Sequence, residues 1–267
     1  MDSSMTRPLA VVTGASSGIG YELAKQFAHH GFDLVIAAED PGINMAARDL
    51  AELGGQIEPV QVDLATYDGV ETLYQAIKAT GRPVEAIAIN AGVGVGGEFA
   101  RETDLRDELK LIHLNVVSSV HLAKRVVQDM VARGHGRMLF TSSIAALMPG
   151  PFEAVYAASK AFVQSFAEAL RNELKDTGVT VTALQPGPTE TNFFHRADMD
   201  DTRVGASSKD DPAQVAQQGF DALMAGKDHV IAGSITTKLQ AAMTNVLPAT
   251  ANAEQHRKLA EPGSAND

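Results

Sequence analysis

A tyrosine and a lysine stand four positions apart in the segment VYAASKAF, residues 155 to 162. The alanine-rich surroundings favour a helix, in which residues i and i+4 share one face, so the phenol of Tyr156 and the ammonium of Lys160 should lie close together. A free phenol has a pKa of about 10 and is a poor base near neutral pH, but a neighbouring positive charge stabilises the phenolate. The pair therefore predicts proton transfer by Tyr156, with a chance pair on a helix surface as the alternative.

A glycine-rich turn, TGASSGIG at residues 13 to 20, lies between an apolar run and a helical pattern. Glycine lets the backbone approach a ligand closely, and the amino end of a helix attracts phosphate. The turn therefore predicts a dinucleotide site, with an ordinary strand-to-helix turn as the alternative. A triphosphatase loop is excluded because Tyr21 and Glu22, not Lys and Ser or Thr, follow Gly20.

The same turn matches the G-x-S-x-G pattern in which Ser16 would be a hydrolase nucleophile. Its position after the first strand argues against this reading, because such a serine normally follows strands that supply an oxyanion loop. The candidate base, His195, lies in a loop with no evident acid to orient it. A serine hydrolase and a non-catalytic nucleotide-binding sensor are kept as the alternative functions.

The composition points to one folded α/β domain over residues 1–267, with 45% hydrophobic and 21% charged residues. The absence of cysteine excludes a thiol nucleophile and thiolate metal sites, and no histidines have metal-ligand spacing, so no metal is expected. A net charge of −11 without a basic run argues against nucleic acid. Without a signal peptide or a membrane-spanning stretch, we expect a cytoplasmic protein with no membrane partner and a small-molecule substrate.

Short apolar runs alternate with helical patterns along the chain. Because these runs are continuous rather than alternating, they predict strands buried on both faces, and hence a doubly wound (Rossmann-type) parallel sheet with helices on both faces. The runs are LAVV 9–12, DLVIAA 33–38, IEPVQV 57–62, EAIAI 85–89, RMLFTS 137–142, VTVTAL 179–184 and HVIAG 229–233. The core of the domain is therefore expected over residues 8–233.

Two segments interrupt this alternation. Residues 186–211 form a long polar connection, which is expected to be a substrate loop. Residues 234–267 should hold a helix followed by a frayed polar tail. The helix needs a packing partner for its apolar stripe, formed by Ile235, Leu239, Met243, Val246 and Leu247.

Six motifs in this order resemble those of the short-chain dehydrogenase/reductase family, over residues 8–195 and more loosely to 233. They are the glycine turn, INAG at 89–92, Asn115, TSS at 141–143, YAASK at 156–160 and QPG at 185–187. The resemblance implies hydride transfer between a nicotinamide cofactor and a carbonyl or secondary alcohol. It implies a catalytic set of Asn115, Ser143, Tyr156 and Lys160, in which Asn115 holds a water linked to Lys160. Asn115 stands in a continuous helical pattern, LIHLNVVSSVHLAKRVV at residues 111–127, so a structural hydrogen bond is its alternative role. Ser143 is preferred to Ser142 because it lies thirteen residues before the tyrosine.

The resemblance also implies which residues contact the cofactor. Asp63 would contact the adenine, and the nicotinamide and phosphates would lie near Pro186, Gly187, Thr189 and Thr191. The full set is Thr13, Gly14, Ser16, Ser17, Gly18, Ile19, Gly20, Glu39, Asp63, Leu64, Asn90, Ala91, Gly92, Tyr156, Lys160, Pro186, Gly187, Thr189 and Thr191. For Asp63 and the threonines, helix capping is the alternative role. Two departures from the family are Ile89 in place of an asparagine and a carboxyl end without VDGG.

The choice of cofactor depends on the segment VIAAEDPG at the end of the second strand. Glu39 and Asp40 follow Gly20 by nineteen and twenty residues, and no Lys or Arg occurs between Lys25 and Arg48. The sequence most resembles a bacterial branch of the family, and many members of that branch have arginines at these two positions. Carboxylates can bind ribose hydroxyls and repel a 2′-phosphate. We therefore expect NAD, with NADP possible if both acids face solvent.

The expected substrate wall is mostly apolar and favours a ketone, aldehyde or secondary alcohol of modest polarity, unless Arg196 takes part. It comprises Ala145, Met148, Pro149, Phe152, Phe193 and Phe194. Family members associate through the tyrosine helix and the helix bearing Asn115, so a homodimer or homotetramer is expected. The face concerned comprises Val155, Ala158, Phe162, Phe166, Ala169 and Leu170.

Overall fold

Seven strands form one parallel sheet in the computed structural model, which describes residues 7–244 and 247–266. The strands are β1 (Leu9–Thr13), β2 (Asp33–Ala38), β3 (Ile57–Gln61), β4 (Val84–Ile89), β5 (Gly136–Thr141), β6 (Val179–Pro186) and β7 (His229–Ala232). Their order is β3-β2-β1-β4-β5-β6-β7, and every neighbouring pair is parallel. The parallel sheet predicted from the continuous apolar runs is confirmed.

Helices cover both faces of the sheet. They are α1 (Gly18–His29), α2 (Ile43–Ala51), α3 (Tyr67–Ala79), α4 (Leu105–Ile112), α5 (Ser118–Arg133), α6 (Ala154–Glu173), α7 (Phe193–Arg196), α8 (Arg203–Ala206), α9 (Pro212–Met224), α10 (Ile235–Thr244) and α11 (Ala249–Ala260). One core lies under α1, α2 and α9, and a second lies under α3, α5 and α6. None of the helices in the described ranges is both long and apolar enough to cross a membrane.

The strand order reverses between β1 and β4, which are neighbours in the sheet. In open α/β sheets, ligands bind at the carboxyl ends of the strands where the order reverses. The glycine turn follows β1, residues 90–92 follow β4 and Ser143 follows β5. The fold therefore places all three at the same edge of the sheet.

The helix expected around Asn115 is not uniform. Its central segment, His113–Val117, is a π-helix between α4 and α5. A π-helical turn contains one more residue than an α-helical turn and is often found at functional sites. The turn contains the buried Asn115, whereas periodicity predicted a continuous α-helix.

The connection at 186–211 is more ordered than predicted. It contains α7 and α8, and a small apolar cluster of Phe194, Ala197 and Met199 packs there with Ala260 of α11. Burial of these apolar side chains provides the free energy that holds an otherwise polar segment in place.

The prediction of a frayed carboxyl end was wrong. The backbone N–H groups of Gly263 and Ala265 donate to the side chain and carbonyl of Asp201 (2.9 Å each), and Arg203 N–H donates to Ser264 Oγ (3.0 Å). These hydrogen bonds attach the end of the chain to the 201–203 segment.

The apolar stripe on α10 is also not buried as expected. Exposed fractions are 78% for Ile235, 60% for Leu239 and 55% for Met243, because α10 buries Thr237, Ala241 and Thr244 on its opposite face. Val246, the fourth residue of the predicted stripe, lies outside the described residues.

Candidate active site

The first two turns of α6 position the tyrosine and lysine, and the end of β5 positions the serine. Lys160 Nζ lies 5.7 Å from the centre of the Tyr156 ring and donates to the carbonyl of Thr141 (2.9 Å). Ser143 Oγ accepts a hydrogen bond from Ala145 N–H (3.0 Å). The neighbouring Ser142 hydroxyl instead donates to the carbonyl of Lys160 (2.9 Å). Ser142 thus bonds to the helix that carries the tyrosine.

The electrostatics of the resting pair differ from the sequence-based expectation. Burial raises the pKa of Tyr156, the charge of Glu153 raises it further, and the nearby Ser143 hydroxyl lowers it. Burial also lowers the pKa of Lys160 to about 8. The predicted lowering of the tyrosine pKa by Lys160 is therefore outweighed here, because burial disfavours the phenolate and the ammonium is directed to the Thr141 carbonyl.

Asn115 connects three elements around the tyrosine helix. Its Nδ2 donates to the carbonyl of Val93 (2.9 Å) and to Ser159 Oγ (3.0 Å), and its Oδ1 accepts from Val93 N–H (3.0 Å). The side chain therefore has the structural role that was the alternative in the sequence analysis. The water-holding role stays a prediction.

A hydrogen-bond network ties β1, β4 and β5 together below the glycine turn. Thr13 Oγ1 accepts from the backbone N–H of Asn90 (2.9 Å) and Ala91 (3.0 Å). Asn90 Nδ2 donates to the carbonyl of Thr13 (3.1 Å), while its Oδ1 accepts from Thr141 Oγ1 (3.0 Å). Thr13 is 1% exposed and is not among the residues that line the cavity, so a contact with the cofactor stays a prediction for this residue. Its hydroxyl supports the residues that do line it.

The glycine turn has the close approaches that a phosphate cradle needs. Gly14 and Gly18 have φ angles of +67° and +57°, which L-residues rarely adopt. A Cβ atom on Gly14 would lie 2.9 Å from Ala91 Cα, and one on Gly18 would lie 2.9 Å from Thr191 Cγ2. The turn leads into the amino end of α1, so the residues present fit a pyrophosphate.

One cavity of about 500 Å³ runs from the glycine turn past Tyr156 to the carboxyl-terminal helices. Apart from Thr13 and Asn115, the predicted catalytic and cofactor residues line it. They are Gly14, Ser16, Ser17, Gly18, Ile19, Gly20, Glu39, Asp63, Leu64, Asn90, Ala91, Gly92, Ser143, Tyr156, Lys160, Pro186, Gly187, Thr189 and Thr191. The fold thus brings together residues from seven segments of the chain.

The two acids after β2 have different partners at one end of this cavity. Asp40 Oδ2 accepts a hydrogen bond from Ser16 Oγ (2.6 Å), which places a carboxylate beside the glycine turn. Glu39, whose side chain is 58% exposed, pairs with Lys110 of α4 (3.2 Å). The sequence analysis found no basic residue near these acids in the chain and missed Lys110, which the fold brings to Glu39.

Local hydrogen bonds settle part of the capping question. Thr66, not Asp63, caps α3 by accepting from Gly69 N–H (3.0 Å), while Asp63 Oδ1 accepts from Ala65 N–H (2.8 Å). Thr191 Oγ1 accepts from Phe193 N–H at the start of α7 (3.2 Å). Thr191 precedes Asn192, the N-cap residue of α7, so this bond is a local turn contact, and Thr191 also lies in the cavity wall.

The substrate end of the cavity agrees only in part with the predicted wall. Ala145, Met148, Phe193 and Phe194 line it, as does Arg196. Pro149 and Phe152 do not, and Phe152 instead lies under Arg257, whose guanidinium is 5.0 Å from the ring centre. The sequence analysis missed the contributions of Glu153 and of the carboxyl-terminal residues Gln240, Thr244, Gln255, His256, Leu259 and Ala260. No motif or spacing in these segments marked them.

Ser16 lacks the partner that a hydrolase nucleophile requires. Its hydroxyl donates to a carboxylate, that of Asp40, rather than to an imidazole. His195 does have an orienting acid, contrary to expectation, because its Nδ1 lies 2.6 Å from Asp200. That pair is exposed in the 186–211 segment. Within residues 7–244 and 247–266, no three His, Asp or Glu side chains are grouped as a metal site requires.

Known proteins share both the sequence pattern and the fold. A family described as short chain dehydrogenase matches residues 8–202. A short chain dehydrogenase of Pseudocercospora fijiensis is 33% identical over 186 residues, which are 69% of this chain and span 60% of that relative.

Two solved structures are similar over most of their length. A short-chain dehydrogenase from Sphingobium yanoikuyae in complex with NADPH has a TM-score of 0.78 at 28% identity, covering 84% of this chain and 87% of that one. A short chain dehydrogenase/reductase from Burkholderia phymatum in complex with NAD has a TM-score of 0.79 at 25% identity, covering 90% and 92%. Since the family match includes the glycine turn, Tyr156 and Lys160, the chain belongs to the short-chain dehydrogenase family and is a nicotinamide-dependent oxidoreductase.

Proposed function

We propose that this protein interconverts a small, mostly apolar ketone or aldehyde and the corresponding alcohol, with Tyr156 as the general acid and base. The observation that supports this most directly is that Ser143, Tyr156 and Lys160 line the same cavity as the glycine turn. When bound, the nicotinamide ring supplies or accepts the hydride and, in its oxidised form, adds a positive charge. The remaining chemistry belongs to side chains of this protein.

Tyr156 donates its proton to the carbonyl oxygen during reduction and accepts it from the hydroxyl during oxidation. Ser143 hydrogen-bonds the same substrate oxygen and orients it toward the phenol. Lys160, held by the Thr141 carbonyl, supplies the positive charge that favours the phenolate when the tyrosine gives up its proton. All three side chains are buried in the wall of the cavity.

We propose NAD as the preferred cofactor. Asp40 accepts a hydrogen bond from Ser16 beside the glycine turn, so a 2′-phosphate there would face a carboxylate. Lys110 favours the opposite choice but is paired with Glu39. The related structures were solved with NADPH in one case and NAD in the other, which is consistent with a choice made by a few local charges.

The substrate class follows from the cavity wall. Phe193, Phe194, Met148 and Ala145 favour an apolar body next to the reacting carbonyl, and the Phe193 ring centre lies 5.1 Å from that of Tyr156. Arg196 is a basic group at this end that has no role in the proposed chemistry, so acidic carbonyl compounds belong in the substrate panel. Localisation in the cytoplasm stays a prediction from the sequence.

The test is turnover of a panel of neutral and acidic carbonyls and alcohols with NAD and NADP. Tyr156→Phe removes the transferable proton and should lower kcat by several orders of magnitude while cofactor binding is retained. Tyr67→Phe is the matched control, because it removes a phenol hydroxyl from an exposed residue of α3 outside the cavity. Near-normal turnover in Tyr156→Phe would refute the proposal. Ester cleavage lost in Ser16→Ala would indicate the hydrolase, and cofactor binding without turnover of any substrate would indicate the sensor.

A further inference from the structure

Glu153 is a buried acid one residue before α6, and it lines the same cavity as Tyr156. Its exposed fraction is 6%. Residues three apart at the start of a helix lie on neighbouring positions of one face, so Glu153 and Tyr156 face the cavity together. A carboxylate buried in this way requires a positive or hydrogen-bonding partner.

His256 of α11 is that partner. Its Nε2 lies 3.3 Å from Oε2 of Glu153, and its Nδ1 lies 3.1 Å from the carbonyl oxygen of Pro151. The two ring nitrogens of His256 therefore face the backbone of the segment before α6 and the carboxyl group at its first turn. The imidazole joins α11 to the start of the helix that carries Tyr156.

We infer that His256 is a positioning residue for the reaction: by pairing with Glu153 it holds α11 over the substrate cavity and neutralises the carboxylate one helical turn before the catalytic tyrosine. This inference rests on the proposed function. The charge of Glu153 raises the pKa of Tyr156, so an unpaired Glu153 would oppose formation of the phenolate. The pair thus links the carboxyl-terminal helix to the proton transfer.

The other charged groups around the cavity do not replace His256. Lys160 donates to the Thr141 carbonyl, and Arg257, next to His256 on α11, lies over the Phe152 ring and pairs with Glu261. Arg196 of α7 lines the same end, and the acids Glu39, Asp40 and Asp63 lie at the glycine-turn end. Among the described residues, His256 is the basic side chain found within ion-pair distance of Glu153.

The experiment is a double-mutant cycle on the pH dependence of kcat/KM for alcohol oxidation. His256→Gln leaves Glu153 charged and unpaired, so the pH at which activity rises should move upward by about one unit or more. In the Glu153→Gln background the same histidine substitution should cause no such shift. Lys258→Gln removes a positive charge from an exposed position of α11 and should leave the profile unmoved.

A second measurement does not depend on turnover. The same double-mutant cycle applied to the free energy of unfolding should give a coupling between positions 153 and 256. Additive effects of the two substitutions on the unfolding free energy, or an equal upward shift of the activity profile in the Glu153→Gln background, would overturn the inference while the proposed function stands. Absence of turnover in the native protein would instead refute the proposed function, and the unfolding cycle would still decide whether the pair exists.

Discussion

Tyr156 and Lys160 are both buried, and burial disfavours the charged form of each side chain. Tyr156 is 8% exposed and Lys160 is 5% exposed. Burial raises the pKa of Tyr156 and lowers the pKa of Lys160, so the neutral form of each is favoured. A buried ammonium with one carbonyl partner is expensive to maintain. Keeping a positive charge beside the phenol therefore lowers the free energy of unfolding, as is common at active sites.

Replacing Lys160 by methionine should separate stability from function. A pKa lowered from 10.5 to about 8 means that the unfolded chain binds more protons than the folded one between these values, so native stability should rise with pH across this window. Removing the ammonium should abolish that rise and increase the unfolding free energy at pH 7 by roughly 1–2 kcal/mol, after the loss of the bond to Thr141. Turnover should fall by orders of magnitude.

Denaturant unfolding at several pH values measures the stability effect, and steady-state kinetics measures the activity. Lys25→Met removes an amine that is partly exposed and paired with Glu22, and it serves as the control. A methionine variant that loses stability at pH 7, or that keeps the pH-dependent rise, would contradict the prediction.

At the scale of elements, the segment after β2 and the helix α4 meet at the end of the cavity assigned to adenosine. Glu39 Oε1 lies 3.2 Å from Lys110 Nζ, across 71 positions of the chain. Both side chains are about half exposed, so the pair itself adds little stability. We propose that the pair matters because it occupies the amine that would otherwise be available to a 2′-phosphate.

Glu39→Gln should therefore increase use of NADP relative to NAD. The released Lys110 gains the 2′-phosphate as a partner. Because such a pair would be exposed, kcat/KM with NADP divided by kcat/KM with NAD should rise only several-fold. The increase should be absent when Lys110→Met is combined with Glu39→Gln. Equal increases with and without Lys110 would show that the lysine does not contact the cofactor, and a native preference for NADP would refute the assignment of Asp40 as the repelling group.

At the scale of the whole molecule, an apolar groove remains open on the side of the fold formed by α6 and the π-helical segment. It is lined by Phe99, Ile112, Val116, Ala154, Val155, Ala158, Ser159 and Phe162. Phe99 is 58% exposed and Phe162 is 42% exposed. Phe166 and Leu170, which were also predicted for the interface, pack against the core instead. We propose that a second copy of this chain covers the groove.

Phe162→Glu should disrupt that association. A carboxylate in the centre of an apolar contact is desolvated without a partner, which should raise the dimer dissociation constant by at least tenfold. Light scattering over a concentration series measures the mass. Met45→Glu adds the same charge at an exposed apolar residue of α2 and should leave the mass unchanged. A monomeric native protein at micromolar concentration would contradict the prediction.

The sequence alone was sufficient for those features that depend on neighbours in the chain. Continuous apolar runs such as DLVIAA predicted buried parallel strands, and the glycine turn predicted the edge of the sheet at which a ligand binds. Tyr156 and Lys160 were found from helical spacing because both belong to α6. In each case a local periodicity or a short motif contains the information.

Only the tertiary structure decided which distant residues complete the site. Lys110 reaches Glu39 and His256 reaches Glu153 across 71 and 103 positions of the chain, pairs that no periodicity connects. Burial is likewise a property of the packed molecule: it raises the pKa of Tyr156 although the adjacent lysine predicted the opposite. Burial also keeps the Thr13 side chain out of the cavity wall. Helical spacing determines which side chains are near one another, but desolvation and long-range contacts determine what their charges do.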